Sequence, residues 1–131
     1  MVCLDTTFII DLLKGRKEAV DFLERRESLG EEIYLNSINV MELIKGAYLH
    51  TNSDKEEIEI RGLISSFVQL DFDMECAVLA GKIEAGLISI GETLEPEDLM
   101  IGAIALQNGE AIVTRNKKHF ERIKDLRIES Y

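Results

Sequence analysis

The chain has 131 residues, 46% of them hydrophobic and 31% charged, with a formal net charge of −10. These proportions predict one globular domain over 1–131 with a substantial core, and exclude an intrinsically disordered chain. The longest apolar run, Leu99 to Leu106 with Gly102 counted, is eight residues where a membrane span needs about 20, and no signal-peptide pattern opens the chain, so a cytoplasmic protein is expected.

Val2 to Leu4 is a short apolar strand that ends on Asp5 and passes into a helical segment from Thr7 to Lys14, stopped by Gly15. A second helix, from Lys17 to about Arg26, places Val20, Phe22 and Leu23 on an apolar face. The turn Gly30-Glu31-Glu32 leads into a strand at Ile33 to Leu35, and Ile38 to Tyr48 follows with Val40, Met41, Ile44 and Ala47 at helical spacing. Asp54 is expected to cap a helix carrying Ile58, Ile60, Leu63 and Ile64, and Asp73 one that runs through Ile90, with a strand at Phe67 to Leu70 between them. Pro96 suits the first turn of a further helix whose Leu99–Leu106 stretch is apolar all round and therefore predicted to be buried. Ala111 to Val113 is a fourth strand, and Arg127 to Glu129 suits a short edge strand. Strands alternating with helices predict an α/β fold, a mostly parallel sheet with helices on both faces.

Acidic residues recur where these strands end. Asp5 follows the first strand, and Glu42 lies early on the helix fed by the second, beyond Asn36, Ser37 and Asn39. Asp98 begins the buried helix, and Thr114-Arg115-Asn116 follows the fourth strand. Each has an ordinary alternative: a cap for Asp5, an exposed helix position for Glu42, a helix-dipole partner for Asp98, a turn residue for Asn116. Chance convergence of all four on one sheet edge is far less expected than any single alternative, and that edge is where open α/β sheets bind ligands. Converging carboxylates need a cation, and an oxygen-only donor set suits Mg2+ or Mn2+. Cys3 and Cys76 form no metal-binding pair and read as buried hydrophobes, and with only His50 and His119 besides, zinc is poorly supplied.

A net charge of −10 opposes a polyanionic ligand, but the charge is uneven. Between Thr114 and Arg127, Arg115, Lys117, Lys118, Arg122, Lys124 and Arg127 stand against Glu121 and Asp125, a local +4. Lys14, Arg16 and Lys17 form a second basic cluster. A phosphodiester backbone met by a carboxylate-bound metal and flanking lysines is compatible with this pattern.

Four segments, Val2 to Leu13, Leu35 to Gly46, Pro96 to Ala105 and Ile112 to Phe120, together resemble PIN-domain proteins of the VapC toxin type. The resemblance implies a three-layer α/β/α sandwich and a Mg2+- or Mn2+-dependent endoribonuclease, the toxin of a type II toxin-antitoxin pair. It also implies an RNA substrate, a homodimer and a cognate antitoxin. Carried onto this chain, Asp5 and Asp98 bind the metal, Glu42 holds it through water or orients the attacking water, and Asn116 completes the pocket. Thr6, Thr7 and Ser37 supply supporting hydroxyls, and Arg115, Lys117 and Lys118 are candidate RNA contacts. Many relatives are acidic near Asn116 or His119, where this chain is not, and Glu97 is a weaker substitute than Asn116. The alternatives are a PIN-domain nuclease of RNA processing and a non-catalytic interaction module of the same fold. Haloacid-dehalogenase phosphatases and receiver domains fit less well: the former want a carboxylate where Thr7 stands, the latter an acidic pair where Asp5 is alone.

Overall fold

The computed structural model describes residues 1–50 and 53–131. In chain order it contains β1 (Val2–Leu4), α1 (Thr6–Leu13), α2 (Lys17–Ser28), β2 (Ile33–Asn36), α3 (Ser37–Tyr48), α4 (Ser53–Ile64) and β3 (Val68–Leu70). There follow α5 (Met74–Ser89), α6 (Pro96–Gln107), β4 (Ala111–Val113), α7 (Lys117–Phe120) and β5 (Ile128–Glu129). The five strands pair in parallel throughout in the order β3-β2-β1-β4-β5. The chain therefore builds outward from β1 to β3, then returns to lay β4 on the other side of β1. That reversal puts the topological switch point at the carboxyl ends of β1 and β4, the place where sheets of this kind hold ligands.

Alternation along each short strand sends side chains to opposite faces. Val2, Leu4, Leu35 and Val113 meet Phe8, Ile9, Phe22, Leu43 and Ile60 from α1 to α4 on one face. Cys3 and Ile112 meet Cys76, Ile101, Ile104 and Phe120 on the other. The result is the expected α/β/α sandwich with a mostly parallel sheet. Both cysteines are buried free thiols, and burial pushes Cys3 up to about 12, so it behaves as a small hydrophobe. Among the described residues no helix is long and apolar enough to cross a membrane.

The expected all-buried helix is α6: Leu99, Ile101, Ala103, Ile104 and Ala105 are each at most 5% exposed. Elsewhere some boundaries move. Asn36 ends β2 and caps α3, so that helix starts at Ser37. Asp54 is not the cap of α4; it lies in the first turn, where a carboxylate complements the helix dipole, and the residues before Ser53 lie outside those described. Ile58 points to solvent while Ile60 is buried, and Met41 of α3 is likewise exposed. The one-turn helix α7 carries too few residues to produce a readable period.

Candidate active site at the carboxyl edge of the sheet

Asp5 is 3% exposed and leaves β1 with φ −80° and ψ 154°, the extended geometry of a helix N-cap. Its Oδ1 accepts from the Thr6 backbone N at 2.8 Å. Its Oδ2 accepts from two hydroxyls, Thr7 Oγ1 at 2.8 Å and Thr114 Oγ1 at 2.7 Å. The cap and the site residue are thus one side chain. Thr114 reaches it because β4 lies beside β1 with Val113 opposite Leu4, so the residues that follow the two strands are neighbours.

Glu42 is placed by a chain of hydrogen bonds that begins at the start of α3. Asn36 and Asn39 form a reciprocal capping box, Asn39 N to Asn36 Oδ1 at 2.9 Å and Asn36 N to Asn39 Oδ1 at 3.0 Å. With its oxygen so engaged, the fully buried Asn39 turns Nδ2 to Thr6 Oγ1 at 3.0 Å. Thr6 Oγ1 then donates to Glu42 Oε1 at 2.7 Å. The Asn36 Nδ2 atom at the start of this chain is buried and has no hydrogen-bond partner among the described residues.

Asp98 enters from the first turn of α6, and its Oδ2 lies 2.8 Å from His119 Nδ1. Burial raises the Glu42 pKa above the usual carboxylate value; the Thr6 hydroxyl opposes this, while Asp5, Asp98 and Glu97 add to it. Burial likewise raises Asp98, His119 opposes, and Asp5 and Glu95 add. Asp5, Glu42 and Asp98 therefore share one electrostatic field. They do not form a closed cage: among the described residues no three His, Cys, Asp or Glu side chains stand close enough together to hold a metal ion ready-made. The donor set nonetheless fits a hard divalent cation, being all oxygen and carrying repulsion that a cation relieves.

The remaining candidates divide. Thr6 and Thr7 donate to Glu42 and Asp5. Ser37 Oγ instead accepts from Phe72 N at 3.3 Å, linking α3 to the segment after β3. Asn116 is exposed at the start of α7; its backbone N donates to Thr114 Oγ1 at 2.9 Å, and its side chain makes no hydrogen bond to the carboxylates. Lys117 and Lys118 are exposed and make no ion pair among the described residues, whereas Arg115 is bound to Asp11. Arg122 and Arg127 spend donors on the backbone oxygens of Thr93 and Gly109. Thr114, Asn39 and His119 are polar contacts of the site to which sequence reading gave no role. Their spacing from the strand ends was the available clue.

Residues 2–126 match the family model of the PIN domain. Over 128 residues the chain is 34% identical to a tRNA(fMet)-specific endonuclease VapC of Salmonella typhimurium, covering 98% of this chain and 96% of that protein. Its fold superposes on DNA-bound VapBC from Salmonella typhimurium with a TM-score of 0.89 at 34% identity, covering 98% of this chain and 96% of that one. It superposes on VapBC2 from Rickettsia felis, bound to a promoter DNA fragment, with a TM-score of 0.92 at 24% identity, covering 100% and 99%, which speaks to the fold alone.

Proposed function

The chain belongs to the PIN-domain family, and we propose that it is a metal-dependent endoribonuclease, the toxin of a toxin-antitoxin pair. The observation that supports this reading is the hydrogen-bonded placement of Asp5 and Glu42 through Thr6, Thr7 and Thr114 at the topological switch of the sheet, with Glu42 and Asp98 raised first by burial and further by Asp5. Mg2+ or Mn2+, when bound, supplies positive charge at the phosphodiester and makes water easier to deprotonate. Asp5 and Asp98 are the residues that hold it, with Thr7 and Thr114 fixing the Asp5 carboxylate. Glu42 has Oε1 tied to Thr6, leaving Oε2 to orient the attacking water and take its proton. Its raised pKa suits that task. Asn116, on the same rim, completes the pocket, and Lys117 and Lys118 meet the RNA backbone.

Partners follow from surfaces beside the site. A groove of about 500 Å3 runs along α1, α3 and α4, lined by Ile10, Leu13, Leu43 and Ile60 and touching Glu42. An apolar antitoxin segment laid there would reach Glu42. On α5, Met74, Val78, Gly81, Ala85 and Ile88 form one exposed apolar stripe at spacings of four and three, which supports a homodimer. A cytoplasmic location belongs to the same reading.

The test is incubation of purified protein with total RNA and Mg2+ or Mn2+, followed by sequencing of the new RNA ends. Cleavage at defined bonds, lost in Asp5→Asn and Asp98→Asn, is expected. RNA left intact by the wild type as by Asp5→Asn would overturn the proposal. The His119 contact on Asp98 favours a second reading, a PIN-fold interaction module without catalysis. Calorimetry that finds no Mn2+ binding at millimolar concentration would decide for it.

A further inference from the structure

Asp11 lies on α1, 4% exposed, with both carboxylate oxygens engaged. Its Oδ1 forms an ion pair with Arg16 Nε at 3.1 Å. Its Oδ2 accepts from Arg115 Nη2 and, at 2.5 Å, from the Tyr131 hydroxyl. Tyr131 packs edge-on against the buried Phe8 with ring centroids 4.7 Å apart, and the Arg115 guanidinium sits 5.8 Å from the Tyr131 ring centroid. One buried carboxylate thus ties together α1, the turn after β4 and the chain beyond β5. Taking a carboxylate out of water is costly unless it is paired and hydrogen-bonded on this scale. Yet Asp11 itself is too remote to take part in chemistry: six residues along α1 place it about 9 Å from Asp5 at the helical rise.

The other end of the network does reach the site. Arg115 is the residue after Thr114, whose hydroxyl donates to Asp5 Oδ2 and accepts the Asn116 backbone N–H. The sheet holds Thr114 only through its backbone N on Glu129 O at 3.0 Å, while its hydroxyl is tied to the turn beyond, where Arg115 is clamped. We propose that Asp11, Arg115 and Tyr131 are positioning residues that lock the turn between β4 and α7, so that Thr114 keeps the Asp5 carboxylate oriented for cleavage. This rests on the nuclease reading above. It also reassigns Arg115, whose half-exposed guanidinium is aimed inward at Asp11 and not offered to the RNA backbone.

Arg115→Met tests it, because methionine keeps an unbranched stem and removes the charged fork that reaches Asp11 and the Tyr131 ring. Tyr131→Phe, which removes one hydroxyl, is the milder companion. Two readouts on the intact protein are needed: steady-state RNA cleavage over a range of salt, and hydrogen exchange at the Asn116 amide. We expect Arg115→Met to lower kcat about tenfold, less than the roughly hundredfold that a 1 Å misplacement can cost. The slope of log KM against log salt should stay unchanged, and the Asn116 amide should exchange faster. Asp11→Asn added to Arg115→Met should lower kcat no further, since the two act as one unit. A salt slope reduced by about 0.7, the loss of one phosphate contact on a single strand, with exchange unaltered, would overturn the lock and make Arg115 an RNA contact. If the wild type cleaves no RNA, the nuclease reading fails alone: faster Asn116 exchange in Arg115→Met still supports the lock, and unchanged exchange still overturns it.

Discussion

Glu42 is held above the ordinary carboxylate range by burial and by Asp5, Asp98 and Glu97, against the one favourable contact from Thr6. A native state that binds this proton more tightly than the unfolded chain gains stability from it below pH 4.5 and loses that gain as pH rises through the raised value. At neutral pH the ionised Glu42 is therefore a burden on the metal-free fold. Glu42→Gln keeps the shape and an acceptor for Thr6 while removing the charge. It should raise the neutral-pH stability by no more than about 1 kcal/mol, solvent screening keeping the figure small, and the advantage should vanish below pH 4.5. Denaturant titrations of both proteins at several pH values check this, and a wild type more stable than the variant at pH 7 would contradict it. The same substitution should abolish cleavage, which separates the residue's functional use from its structural cost. At this scale the positions of Asp5 at the end of β1 and Asp98 in the first turn of α6 were legible, while Glu42 stands at the sixth residue of α3 and depends on Thr6 for its place. Thr114 and Asn39 were not legible, since a hydroxyl or amide in a turn has many local uses and its partner lies far off in sequence. The pairing of Arg115 with Asp11 was not legible either, because the two are 104 residues apart in the chain.

Among the elements, α6 was readable from its unbroken apolar run, and its packing explains why a glycine interrupts that run. A Cβ at Gly102 would stand 2.3 Å from Ile123 Cδ1, and Ile123 is only 2% exposed, so it has little room to yield. Overpacking of this kind costs about 1–3 kcal/mol, against about 1 kcal/mol gained in helix propensity when Ala replaces Gly. Gly102→Ala should therefore destabilise the protein by about 1 kcal/mol. Gly86→Ala in α5, where nothing lies within 4 Å of the added carbon and φ is not positive, should stabilise by about 0.5–1 kcal/mol. Opposite shifts of the urea midpoint with an unchanged m-value are the expected result, and shifts of the same sign would contradict the packing argument. Short elements were the least legible. The turn of α7 has no period to read, and β5 is only Ile128 and Glu129, although the Arg127 carbonyl before it still accepts from Ile112 N.

For the whole molecule, the sheet order and the charge act together. Reversal of the chain between β3 and β4 is what sets Thr114 against Asp5, and no local sequence feature encodes that adjacency; only the alternation of strands and helices points to it. The same reversal gathers carboxylates on a chain that already carries −10. Any salt relieves part of this self-repulsion, so a rise in stability with MgCl2 or MnCl2 alone proves nothing about a site. The informative quantity is the rise beyond that given by NaCl at equal ionic strength. A cation held by the native state alone adds about 2.7 kcal/mol when present at 100 times its dissociation constant. Asp5→Asn is the right control because asparagine caps a helix as well as aspartate does, leaving the start of α1 intact while removing one charge and one ligand oxygen. We expect the divalent-specific increment in the wild type and its absence in Asp5→Asn, both measured as thermal midpoints in matched ionic strength. Equal increments in the two proteins would mean that the ions only screen the acidic surface, and the carboxylate edge would then lose its standing as a metal centre.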